Sequence, residues 1–336
     1  NSSVDIYGDT VTVVSGAASS QLMGINNTFG STGAGNTVNV YNCVIQNCSY
    51  PTATSGEFRG INIASTAANT NVYNNKVINN THIGTGAWAG IQIAGSTATN
   101  MLLVNIYNNE ISGNVKSGTA GIMYCVNASS SNQTSNFYNN NIFNNTAASS
   151  TVALYGYYNF AVGFNENVYN NQVNNLTGGT GEVVGIYARS GSSPTDKQVY
   201  GNTVHTLAGA GQVGGIWMEY AGNNLAYRNR VYNLSSTTTS LTPGVYGFQY
   251  GTNQGLNVAI NNNFISDLRS PNNTSVGAIY GIWIAGASVT SAKIYYNTVY
   301  LNAATTSATS FGTAAMLMQS TPFTVDVRNN IFVNVS

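Results

Sequence analysis

The sequence predicts an all-β chain wound as a parallel β-solenoid. Three observations carry that prediction: a strand-forming composition, a repeat of about thirty residues, and the inability of one repeat to bury its own apolar face. Good helix formers are scarce among the 336 residues, whereas Val, Ile, Thr and Tyr abound, so local preference runs to strand. A hydrophobic content of 43% supplies enough apolar surface for a core and argues against disorder. With 36 Gly and only 5 Pro, turns are frequent but the chain is rarely forced to stop.

The repeat is aliphatic-Tyr-Asn-Asn-x-aliphatic. It reads VYNCVI from Val40, VYNNKV from Val72, IYNNEI from Ile106, FYNNNI from Phe137, VYNNQV from Val168 and VYGNTV from Val199. Eroded copies follow as AYRNRV from Ala226, AINNNF from Ala259, IYYNTV from Ile294 and VRNNIF from Val327, and IYGDTV from Ile6 precedes them, giving eleven. A second motif, Gly-aliphatic-x-aliphatic, lies between the copies, as in GINI at Gly60, GIQI at Gly90, GIMY at Gly121, GIYA at Gly185, GIWM at Gly215 and GIWI at Gly281. Each unit holds short strands with period-2 alternation, separated by small and polar loops. Stacking the units buries what one unit cannot, so about eleven coils of roughly 27–35 residues are expected, a rod ~50 Å long.

Stacking aligns like positions into columns. The aliphatic that opens each copy faces inward. Three residues on, Asn75, Asn109, Asn140, Asn171, Asn202, Asn229, Asn262, Asn297 and Asn330 form an asparagine ladder headed by Cys43. Two further on, a second inward column includes Val77, Ile111 and Phe264. Asn suits such a turn because it tolerates left-handed geometry and its amide both donates and accepts. Cys43 and Cys48 are expected in the core, their bonding left open.

The pattern Ile-x-x-Asn-x-Ile followed by Gly-Ile-x-Ile resembles the right-handed parallel β-helix repeat of the pectin-lyase-like superfamily, over essentially the whole of 1–336. The VYNN, GTG and GIY style resembles the long β-strand-repeat regions of large bacterial surface proteins exported by type IX secretion. The resemblance implies a right-handed helix in a single domain. The superfamily spans lyases, hydrolases, tailspikes and adhesins, so its function is not fixed by its fold.

Charge narrows the field. Ten basic and ten acidic residues make only 6% of the chain charged and leave no basic run, which argues against a nucleic-acid partner. No run of apolar residues is long enough to span a bilayer as a helix. Abundant Asn, Thr and Ser with few Lys point to an extracellular or cell-surface setting. Neither end of the sequence reads as a capping segment, so the chain is expected to be part of a longer rod or to associate end to end.

Candidate sites lie on the outer face. The tyrosines after the inward aliphatic, from Tyr41 to Tyr295, form an outward column whose role is expected to be structural stacking. The x of Gly-Ile-x-Ile gives another: Asn62, Gln92, Met123, Tyr158, Tyr187, Trp217, Gln249 and Trp283. Within it Tyr158, Tyr187, Trp217 and Trp283 are the glycan-binding candidates, and Arg189 and Glu219, each two residues past a column member, are expected side by side. No metal or other cofactor is expected: His82 and His205 lack a second ligand at suitable spacing, and acids are scattered one per coil. Lys76 and Glu110 read as a cross-coil pair. The function expected is a non-catalytic structural and adhesive stalk or filament with weak glycan contact. A polysaccharide lyase or hydrolase, with Glu219 as acid or base and Arg189 holding a uronate, is the alternative.

Overall fold

The computed structural model describes residues 2–30, 33, 35–94, 101–130, 133–149, 151–161, 165–189, 196–220, 222–251, 257–285, 289–306, 310–319 and 324–336. Three sheets of parallel strands run along the molecule, and the chain visits them in turn, coil after coil. The first sheet has eleven strands, from Ser3–Tyr7 to Thr324–Arg328. The second follows a path of eleven, from Thr10–Val11 to Ile331–Asn334, and the third has ten, from Leu22–Asn27 to Thr313–Met318. Sequence neighbours in the repeat are neighbours in space: Val72 pairs with Ile106 and Tyr73 with Tyr107. The expected all-β parallel solenoid is therefore the fold. The expectation of eleven coils is too high, because ten strands of the third sheet are separated by about nine turns and the eleventh repeat copy adds only two strands.

The corner between the first and second sheets is where sequence fixes shape. After the outward tyrosine comes a residue in the left-handed region: Asn74, Asn108, Asn139 and Asn170 have φ of 57, 56, 55 and 56°. Asparagine visits that region at less cost than most side chains. The next asparagine turns inward and forms the ladder. Asn109 donates through Nδ2 to Asn140 Oδ1 at 3.0 Å, to the Val72 carbonyl at 2.9 Å and to the Tyr107 carbonyl at 3.1 Å. Its backbone N–H also donates to Asn140 Oδ1, at 3.0 Å. The same bonds repeat from Asn75 to Asn330, and Cys43 N–H donates to Asn75 Oδ1 at 3.0 Å. Turn conformation and ladder bonding are thus divided between consecutive residues.

That division corrects one position. Asn262, expected in the ladder, has φ 55° and occupies the turn, while Asn263 is the rung, linking Asn229 Nδ2 at 2.9 Å to Asn297 Oδ1 at 2.9 Å. The copy starts at Ile260, which pairs with Ala226, and not at Ala259. For the same reason Ile265 is the buried residue of that coil and Phe264 is 39% exposed. Three consecutive asparagines gave two readings one residue apart, and the inward-facing Ile260 decides between them.

A second ladder lies five residues further on. Cys48 N–H donates to Asn80 Oδ1 at 2.9 Å, Asn80 Nδ2 to Asn114 Oδ1 at 2.9 Å, and Asn114 Nδ2 to Asn145 Oδ1 at 2.8 Å. It then changes chemistry, for Leu176, Leu207, Leu234 and Leu268 continue the column. The three cysteines are buried free thiols, and Cys43 and Cys48 stand at the head of the two ladders.

Removing one rung strands buried donors on one side and an acceptor on the other. Asn263→Ala should therefore lower stability by about 3 kcal/mol. Asn262→Gly, which keeps the left-handed turn, should change it by only a few tenths. Urea unfolding midpoints of the two variants check the register as well as the energy.

Candidate functional site

The outer face of the third sheet gathers the densest cluster of aromatic rings. Each strand there departs from strict alternation at the motif glycine. In Phe58–Ile63, Arg59 and Asn62 share the outer side, where Arg59 donates to Asn62 Oδ1 at 3.1 Å, while Phe58, Ile61 and Ile63 belong to the core. A Cβ on Gly60 would lie 2.5 Å from the Gly90 carbonyl oxygen and 2.9 Å from Val77, so glycine suits this close approach, although Cys125 and Ala315 hold the same position in two other strands. Each strand consequently offers two outward positions three residues apart.

One of these columns runs Asn26, Asn62, Gln92, Asn127, Tyr158, Tyr187, Trp217, Gln249 and Trp283. Asn127 stands where Met123 was expected. Met123 pairs with Trp88 and is fully buried, because in that coil Cys125-Val126-Asn127 replaces Gly-Ile-x. The amide half of the column is bonded internally, Asn62 Nδ2 to Asn26 Oδ1 at 2.7 Å and Asn127 Nδ2 to Gln92 Oε1 at 3.0 Å. In the aromatic half, ring centroids of Tyr158 and Tyr187 are 5.1 Å apart and those of Tyr187 and Trp217 are 4.4 Å apart.

The other outward column was not anticipated. It contains Tyr124, Tyr155, Tyr246 and Tyr280, which period-2 alternation does not place on this face. Tyr155 packs 4.8 Å from Tyr158 and 5.8 Å from Tyr187. Tyr246 lies across Gly214, where a Cβ would be 2.1 Å from its ring, and it connects Trp217 at 6.4 Å with Trp283 at 6.3 Å. The four glycan candidates thus belong to one cluster, but Tyr187 is only 5% exposed and presents little ring to solvent. Tyr158, Trp217 and Trp283 are the accessible ones. The spacing of Tyr155, Tyr246 and Tyr280, each three residues before a column member, was the available signal.

Around the aromatic cluster, charge enters through Arg189, Glu219 and Glu182. Arg189 Nε and Glu219 Oε2 are 2.8 Å apart on paired strands, the side-by-side placement expected from sequence. Arg189 also donates to Tyr220 Oη at 3.1 Å, and its guanidinium carbon stands 3.7 Å from the centre of the Phe160 ring. Burial pushes the Glu219 carboxyl above the usual range, while Arg189 and Lys197 pull it back. Glu182 is likewise pushed up by burial, against a hydrogen bond donated by Tyr155. Arg189 and Glu219 are therefore turned toward each other, and the Glu219 side chain is 4% exposed.

The tyrosine column on the first sheet is a separate feature. From Tyr7 to Tyr227 its rings stack at 4.7 to 5.0 Å with planes within 8° of parallel. The column lapses at Asn261, and Tyr295 then pairs with Arg328. Lys76 and Glu110 form the expected cross-coil pair at 3.4 Å.

No family model, no curated protein and no solved structure matches this chain.

Arg189→Met leaves the enclosed Glu219 carboxylate without its main partner and should destabilise the fold at neutral pH by about 3 kcal/mol. The carboxyl then titrates further above its unfolded value, so the folded state holds the extra proton and stability falls as pH rises through that window. Unfolding curves at pH 5 and pH 7 should show the gap between variant and parent narrowing at the lower pH.

Proposed function

We propose that this chain is a non-catalytic structural solenoid of the cell exterior, a stalk or filament segment that stacks end to end on a second copy and offers its third-sheet face to glycans. The observation that carries it is the state of the end coils. Val325 and Val327 occupy inward columns whose preceding members, Ala292 and Ile294, are 1% and 0% exposed, yet each of the two valines is 41% exposed. At the other edge Val4 and Ile6 are half-buried, whereas Val38 and Val40 beside them are fully enclosed. Both edges present apolar columns and strand backbone that another parallel coil would cover, whether from a longer chain or from a second copy.

A second copy fits the register of both edges. Continuing the stack places Arg328 against Tyr7, which is 59% exposed, a cation over an aromatic face. The same register sets Asp326 beside Asp5, a repulsion that Arg328 offsets through its 2.6 Å contact with Asp326. The sequence resemblance to β-helix repeats of exported surface proteins supports an extracellular setting. A glycan contact is favoured by the accessible rings of Tyr158, Trp217 and Trp283 and by the carboxamides of Gln92 and Asn127 in the same column, because sugars stack on rings and bond to amides.

Light scattering and negative-stain imaging across a concentration series test the stacking. Linear oligomers that grow with concentration are expected, and Val327→Glu should abolish them while leaving the circular dichroism unchanged. A single monomeric species at all concentrations contradicts the proposal. For the glycan face, tryptophan fluorescence should shift on titration with neutral oligosaccharides and lose that response in Trp283→Ala; an unresponsive parent protein removes that part of the reading.

A further inference from the structure

Inside the solenoid, one column of the first sheet changes character for three strands. It runs through Val104 and Ser135, then Glu166, Lys197 and Asn224, and returns to Val258. Glu166 and Lys197 are 0% exposed and Asn224 is 3% exposed. A buried ion pair is seldom more stabilising than apolar residues of similar size, so packing alone does not account for this trio.

Its geometry is specific. Lys197 Nζ lies 3.5 Å from Glu166 Oε2, donates to the Ala188 carbonyl at 2.7 Å and donates to the Glu219 carbonyl. Glu166 Oε1 accepts from Tyr157 Oη at 2.9 Å and Asn159 Nδ2 at 3.0 Å, which fixes the carboxyl. Asn224 Nδ2 donates to Tyr250 Oη at 3.1 Å, and that hydroxyl donates to the Tyr220 carbonyl at 3.1 Å. The amine thus reaches the Glu219 carbonyl directly and the carboxamide reaches the Tyr220 carbonyl through the Tyr250 hydroxyl, from strands that pair Lys197 with Asn224.

We infer that Lys197 and Asn224 are joined by an intramolecular isopeptide bond, formed with Glu166 as the proton carrier. Burial lowers the Lys197 ammonium to about 8, partly opposed by Glu166, so a neutral amine is accessible. Lys197 passes one proton to the Glu166 carboxylate, and in the dry interior both groups become neutral. The Nζ lone pair attacks Asn224 Cγ, and the carbonyl electrons move to Oδ1. The attacking nitrogen, now positively charged, passes one of its protons to the departing Nδ2, and Glu166 keeps the proton it took from Lys197. The C–N bond to Nδ2 breaks, ammonia leaves and a Cγ–Nζ amide remains. Nothing else is consumed.

The bond would tie the strand Asp196–Tyr200 to Asn223–Tyr227, and so one coil to the next, whether or not copies stack end to end. Intact-mass spectrometry of the unmodified chain tests this without any variant. The folded protein should be one ammonia lighter than its sequence, and peptide mapping should recover a branched peptide joining Lys197 to Asn224. Glu166→Gln and Asn224→Ala should each return the full sequence mass. Linear peptides spanning both residues overturn the inference, even if ammonia has been lost as a succinimide elsewhere. A branched peptide joining Lys197 to Glu166 also overturns it, and so does a Glu166→Gln protein that still loses ammonia.

Discussion

Everything in this molecule depends on identical corners lying on top of one another at the spacing of paired strands. The asparagine rung satisfies that constraint because its side chain carries donor and acceptor together. Asn140 takes two hydrogen bonds from the coil before it, from Asn109 N and Nδ2, and gives two to the coil after, to Asn171 Oδ1. It also closes carbonyls of Ile106 and Tyr138 that the turn would leave unpaired. A buried polar group costs free energy unless bonded, so a slipped coil loses several bonds at once. The parallel tyrosine stack follows from the same register and needs no ligand to explain it.

Because the corners carry the register, other parts are free to vary. The step between successive tyrosines ranges from 27 to 34 residues while pairing persists. The second corner exchanges amide for leucine at Leu176, and from the preceding coil onward the second-sheet strand runs unbroken, as in Asn141–Ala147 and Gln172–Gly178, instead of splitting into Lys76–Ile78 and Thr81–His82. The few charges are placed with similar economy. Lys116 is enclosed and bonds the carbonyls of Gly84 at 2.7 Å and Gly86 at 2.9 Å, with burial drawing its ammonium down to about 8. A chain whose information lies in stacking suits a rod, which the proposed end-to-end contact would extend and the proposed Lys197–Asn224 bond would strengthen.

The fold was legible because one register-setting residue type recurs beside an aliphatic-tyrosine pair, and periodicity is insensitive to an error of one residue. The site was less so. Asn261, Asn262 and Asn263 look alike in sequence, and only the inward demand of Ile260 orders them. The second ladder was hidden because its three asparagines give way to four leucines, so no single column of letters spans the chain. The outward set of Tyr124, Tyr155, Tyr246 and Tyr280 was hidden by the glycine bend, which breaks alternation in a way visible only when neighbouring backbones are seen to touch. Arg189 and Glu219 were found because they sit equally far past equivalent residues, so register alone brings them together.

Residue-resolved hydrogen exchange on Asn109, Asn140 and Asn171 tests the stacked ladder most directly. If each backbone N–H and carboxamide is held by the next coil, these protons should exchange as slowly as those of the strand residues Val72 and Ile106, through global opening alone. Exchange at the rate of solvent-exposed turn amides would mean that the rungs are not joined, and that the coils are held in register by something else.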